Sequence, residues 1–136
     1  MIELNGKKYA CTSKIPIDLV DDKWKFLILW NLAIKPLRIS ELSERIPETS
    51  QRTLSRKLKA LEEVSLVQRV VFPEVPPKVE YSLSDEGKEL QHLIMELSLW
   101  GRKWLERRGM KTAIDEDLDA LKEMFAKTEA LDELGE

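Results

Sequence analysis

Apolar positions along the chain follow two rhythms, and the changes between them mark out the elements. Trp24, Leu27, Ile28 and Leu32 recur at three- and four-residue spacing behind Asp21-Asp22, which predicts a largely buried helix over 21–34 that ends before Pro36. A short helix over 15–20 precedes it, with Pro16 in its first turn. Ile39, Leu42 and Ile46 share one face of a two-turn helix that Pro47 stops. Thr49 or Ser50 then caps a helix running to about Glu63. At 100° per residue, Leu54, Leu58 and Leu61 of that helix fall within about 60° of one another, and Arg52, Ser55, Arg56 and Lys59 fall opposite.

The rhythm changes at Val67. Residues 67–71 and 79–83 are rich in β-branched side chains and predict two strands, whereas Phe72-Pro73-Glu74-Val75-Pro76-Pro77-Lys78 between them is too proline-rich for a ladder. The expectation is a hairpin with a stiff, projecting tip. Ser84-Asp85-Glu86-Gly87 opens a long helix to about Arg108, whose positions Leu90, Leu93, Ile94, Leu97, Trp100 and Trp104 form a near-heptad stripe. After Gly109 a second amphipathic helix, from about Ile114 to Leu134, continues the rhythm with Ile114, Leu118, Leu121 and Phe125. The architecture expected is mainly α with a small β-hairpin wing: a winged helix-turn-helix with additional terminal dimerisation helices. One domain over 1–136 is expected, its core at about 11–105 and a C-terminal extension at about 111–134.

Charge changes the picture only once it is divided along the chain. The formal net charge is −3, yet residues 113–136 hold nine acids and two bases, leaving twenty bases and sixteen acids in residues 1–112. Residues 49–61 carry Arg52, Arg56, Lys57 and Lys59 and no acid. The order helix, helix, helix, β-hairpin, long helix is that of a winged helix-turn-helix, in which the third helix enters the major groove and the hairpin reaches the flanking groove or backbone. On that reading Arg52 and Arg56 pair with guanine edges, while Ser50, Gln51, Thr53 and Ser55 reach bases or phosphates near the helix start. Lys57 and Lys59 position the backbone, Lys78 presents a cation at the wing tip, and Arg69 supports it from the first strand.

The strings Lys23-Trp24, Leu27-Ile28-Leu29, Arg38-Ile39-Ser40-Glu41-Leu42, Leu54-Ser55-Arg56-Lys57-Leu58 and Val71 to Leu83, with Gly87 and Trp100-Gly101 after them, resemble the HxlR-type regulators, relatives of the MarR group, over roughly residues 11–105. The resemblance implies a bacterial or archaeal transcription regulator that dimerises through its terminal helices and binds a two-fold symmetric operator in double-stranded DNA. Two features depart from the group. Asp21-Asp22-Lys23 stands where Gly-Gly or Gly-Lys is common, and the helix from Ile114 to Leu134 extends past the usual length.

Cys11 precedes the first helix at a position where members of the group often carry a cysteine, which in some reacts with electrophiles or oxidants. A lone cysteine beside an apolar helix is more often a small buried hydrophobe, although Lys7, Lys8 and Lys14 lie near enough in sequence to stabilise a thiolate. As the chain's single cysteine it forms disulfides only between molecules, and with one histidine, His92, it supplies no zinc cluster. Trp100 and Trp104 are read as packing residues, and Leu90, Leu97, Trp100, Trp104, Ile114, Leu118, Leu121 and Phe125 as the interface of a homodimer, because one chain cannot cover so long a stripe. No nucleophile elbow, phosphate-binding glycine loop or metal motif is present, so neither an enzyme nor a cofactor is expected. No apolar run reaches the roughly 18–20 residues that span a bilayer, and a cytoplasmic protein with no membrane partner is expected. The competing class is a winged-helix adaptor that binds proteins, which would not need a basic helix and a basic wing tip together.

Overall fold

The computed structural model describes residues 1–110. They divide between two compact units, the first ending at Gly87 and the second beginning at Lys88. The first unit opens with an antiparallel hairpin of strands β1 (Ile2–Leu4) and β2 (Lys7–Tyr9), with Ile2 opposite Tyr9. Asn5 and Gly6 both have positive φ, 50° and 77°, as a two-residue turn matched to the twist of a hairpin demands. The apolar rhythm does not reveal this hairpin, because three-residue strands are too short to show alternation.

Helix α1 (Lys14–Val20) leads into α2 (Lys23–Ile34), whose start is fixed by Asp22. The Asp22 carboxylate accepts hydrogen bonds from the backbone amides of Trp24 and Lys25 at 2.9 and 3.1 Å, satisfying two donors that a helix start leaves open. Helix α3 (Ile39–Arg45) begins where the Arg38 amide donates to the Glu41 carboxylate at 3.0 Å. Helix α4 (Gln51–Glu63) begins at Ser50, whose hydroxyl oxygen accepts from the Thr53 amide at 3.1 Å. Ile28, Leu29, Leu37, Leu42, Ile46, Leu54, Leu58 and Leu61 are fully buried, and α4 packs on α2, α3 and the strand that follows it. The apolar stripes of three helices thus meet in one core.

Strands β3 (Val67–Phe72) and β4 (Lys78–Leu83) pair antiparallel, Val67 opposite Leu83 and Phe72 opposite Lys78. The ladder therefore runs one pair further out than the proline count suggested, and corrects the expectation that Phe72 and Lys78 belong to the loop. Only Pro73 to Pro77 leave the sheet, with a cis bond between Val75 and Pro76. Leu37 joins the edge of β4: its amide donates to the Tyr81 carbonyl at 3.0 Å and its carbonyl accepts from the Tyr81 amide at 2.8 Å.

Helix α5 (Asp85–Glu106) starts behind Ser84, whose hydroxyl oxygen accepts from the Gly87 amide at 3.0 Å while its proton goes to the Ser65 carbonyl. Gly87 is required there, since a Cβ at that position would stand 2.1 Å from the Leu66 carbonyl oxygen. In the second unit α5 buries Gln91, Ile94 and Met95. It ends at Gly109, whose φ of 70° lets the Met110 amide reach back to the Leu105 carbonyl at 3.1 Å. No helix among the described residues is long and apolar enough to cross a membrane.

Candidate nucleic-acid interface

With Leu54, Leu58 and Leu61 sealed in the core, the geometry of a helix turns the opposite face of α4 to solvent. Gln51, Arg52, Ser55, Arg56 and Lys59 are exposed on it, and Thr53 is half-buried. Ser50 and Thr53 are engaged with each other, because the Ser50 hydroxyl donates to the Thr53 hydroxyl at 3.1 Å while capping the helix. The face is a row of long cationic and short polar side chains on a rigid, core-anchored cylinder.

Lys57 belongs to a different environment. Its ammonium group lies 2.5 Å from the Asp22 carboxylate, which ties the middle of α4 to the start of α2. Partial burial pushes the Asp22 carboxyl upward, but the hydrogen bonds from Lys57 and from the Lys25 and Trp24 amides overcome it and hold the group below its ordinary range. Asp22 lies 35 positions before Lys57, so no local pattern announces the pair.

The wing divides its cations in the same manner. Arg69 on β3 is exposed, whereas Lys78 is half-buried, 2.9 Å from the Glu80 carboxylate and 5.0 Å from the centre of the Phe72 ring. Lys78 therefore lies along the sheet and does not stand at the tip, as the sequence reading expected. The loop of Pro73, Glu74, Val75, Pro76 and Pro77 carries one acid and no base, and Val75 is wholly exposed.

Cys11 is exposed, and its sulfur lies 2.9 Å from the Ser13 hydroxyl. The Ser13 hydroxyl, then the Ser13 backbone amide, lower the thiol's pKa below its ordinary value, outweighing slight desolvation. The stabilising groups are thus hydrogen-bond donors of the α1 start, the Lys14 backbone amide among them, and no lysine ammonium contributes. Of the expected interface residues, Leu90 is half-buried and Leu97, Trp100 and Trp104 are exposed, joined by Leu93 in one row. Ile114, Leu118, Leu121 and Phe125 lie outside the described residues. Among the described residues no group of three His, Cys, Asp or Glu side chains is placed to hold a metal ion.

Helices α2, α3 and α4, a hairpin whose strands follow the last of them, and the long helix α5 define a winged helix-turn-helix protein. Residues 19–109 match the HxlR-like helix-turn-helix family, and the chain belongs to that family. An HTH-type transcriptional regulator of Methanothermobacter thermautotrophicus is 38% identical over 102 residues, covering 75% of this chain and 78% of the relative. Among solved structures, a MarR-family transcriptional regulator of Enterococcus faecalis V583 superposes with a TM-score of 0.71 at 27% identity, over 79% of this chain and 98% of the other. The reduced form of the transcriptional regulator YodB of Bacillus subtilis superposes with a TM-score of 0.65 at 35% identity, over 73% of this chain and 98% of the other. Structures of diamide-treated and quinone-bound YodB are matched as well. The protein is a transcriptional regulator of the helix-turn-helix type.

Proposed function

We propose that the protein is a repressor that binds a two-fold symmetric operator in double-stranded DNA as a homodimer, with α4 in the major groove and the wing on the flanking groove or backbone. The observation that carries this reading is the sidedness of α4: one face is locked in the core and the other presents Gln51, Arg52, Ser55, Arg56 and Lys59 to solvent. Arg52 and Arg56 suit base edges because a guanidinium offers two parallel donors to the acceptors of guanine. Lys59 and Arg69 suit phosphates. The row Leu93, Leu97, Trp100 and Trp104 supplies the apolar surface that a second subunit covers.

Binding of a duplex recovered by selection from the source genome, titrated across salt, tests this. A steep fall in affinity with salt, together with preference for the selected duplex over random DNA, is expected. Equal binding of both duplexes, or no salt dependence, would defeat the proposal in favour of an adaptor.

Cys11 supports a second layer of the same function. An exposed thiol with a lowered pKa is the form that oxidants and electrophiles attack, and the matched YodB structures were obtained with diamide and with a quinone. Diamide is expected to release the protein from the selected duplex, and Cys11→Ser to bind DNA while ignoring the reagent. Unchanged DNA binding after complete modification of Cys11 refutes the sensor role.

A further inference from the structure

Between α4 and the wing lies an open cleft of about 280 Å³, lined by Ser55, Lys59 and Glu62 of α4, Arg69 of β3 and Tyr81 of β4. The positions i, i+4 and i+7 place the three helix residues in one row. Arg69 and Tyr81 are direct partners across the ladder, so their side chains stand on the same face of the hairpin. Tyr81 is also held from its other edge by both hydrogen bonds to Leu37. The cleft therefore has a helix for one wall and a doubly anchored strand for the other.

Its charges are uncommitted. Lys57 and Lys78 are neutralised by Asp22 and Glu80, whereas Lys59 and Arg69 form no salt bridge among the described residues. With Glu62 included, the lining carries two cations and one anion. The volume is several times the roughly 30 Å³ of a water molecule, yet it falls just short of the roughly 300–1,000 Å³ of pockets that hold drug-sized ligands. A small anion with a single charge and acceptor oxygens fits both limits. A phosphodiester is such a group, whereas a free phosphate or monoester approaches a charge of about −2 at neutral pH and would meet the Glu62 carboxylate with charge left over.

We propose that this cleft seats one backbone phosphodiester of bound DNA, held by Lys59 from the helix and Arg69 from the wing, with the Ser55 and Tyr81 hydroxyls as further donors. Glu62 restricts the seat to a singly charged anion. The proposal rests on the DNA-binding reading above and adds that helix and wing grip the same phosphate, which fixes the register of one against the other on the duplex.

The test uses the full chain and the selected duplex, with one neutral methylphosphonate introduced at a time along the half-site. For the unaltered protein one position is expected to weaken binding by roughly tenfold, the size of a lost charge-assisted contact. The penalty at that same position is expected to shrink in both Lys59→Ala and Arg69→Ala and to vanish when the two are combined, with Tyr81→Phe weaker by a smaller factor and circular dichroism unchanged in all of them. Inorganic phosphate is expected to compete no better than chloride of equal ionic strength, and to compete measurably once Glu62→Gln is made. Should the penalty shrink at different positions in the two alanine variants, or at no position in either, the shared seat is overturned while DNA binding stands. Specific competition by inorganic phosphate against the unaltered protein overturns the role given to Glu62. Failure of the unaltered protein to bind any duplex would instead remove the DNA reading itself.

Discussion

Helices α4 and α5 carry the same kind of amphipathic pattern and meet opposite fates. In α4 the apolar row Leu54, Leu58 and Leu61 is fully buried beneath α2, α3 and β3. In α5 the row Leu93, Leu97, Trp100 and Trp104 remains 58%, 70%, 63% and 39% exposed. Periodicity states that a helix has an apolar face. What covers the face depends on elements far away in sequence, or on another molecule. The difference also bears on the two proposed roles: the buried row would hold the proposed reading face rigid, and the exposed row is the surface that the proposed second subunit would cover.

The sharpest way to break this comparison is to shorten one leucine in each row. Leu58→Ala should lower the unfolding free energy by about 3 kcal/mol, through lost burial and the cavity left behind. Leu97→Ala should cost a monomer less than about 0.5 kcal/mol, as exposed substitutions do, while shifting sedimentation equilibrium toward the lighter species. Similar losses in urea denaturation of the two variants as monomers would erase the distinction.

Two glycines within α5 sharpen it further. Gly87→Ala should destabilise by about 2 kcal/mol, because the new Cβ would overlap the Leu66 carbonyl and force the backbone apart. Gly101 has nothing within 4 Å of the equivalent atom, so Gly101→Ala should stabilise by about 0.5–1 kcal/mol through helix propensity alone. Thermal melts of the two variants should move in opposite directions, and a parallel shift would contradict the packing described here.

The smallest effect is expected at Asp22. Asn caps a helix about as well as Asp, so Asp22→Asn isolates the pair with Lys57, worth about 0.5 kcal/mol at this partly exposed site. The folded-state pKa of Asp22 lies below its ordinary value of 3.8. Its contribution is therefore fully present above that value and is lost as pH falls through the lower folded-state pKa. The parent chain should shed this increment below about pH 4, and the variant should not. Acid unfolding curves with identical spacing across that range would show that the pair contributes nothing.

How much of this could be read in advance varies by residue. The bounds of α4 follow from Ser50, the leucine spacing and the absence of an interrupting proline or glycine, all local features. The solvent-facing members of its basic face follow from the same arithmetic. Lys57 escaped it because the acid that claims it caps a different helix. The prolines predict a ladder that ends at Val71 and leaves Lys78 at the tip, whereas the ladder ends at the Phe72 pair and Glu80 lies within reach. The Asn5-Gly6 hairpin carried a turn signal but strands too short to confirm it. The cleft beneath Tyr81 depends on Leu37 joining the sheet, a contact 44 positions apart that composition does not encode.

The Asp22 carboxylate serves two masters, the amides at the start of α2 and the ammonium of Lys57. In terms of descent, positions 22 and 57 are then not free to drift separately. A lineage that replaces the acid by glycine leaves a cation half-covered against α2 with no counter-charge. Residue 57 is then released to change or to turn outward. Acid at 22 and base at 57 are accordingly expected to change together, which the pairing of residues at these two positions across HxlR-type sequences would check.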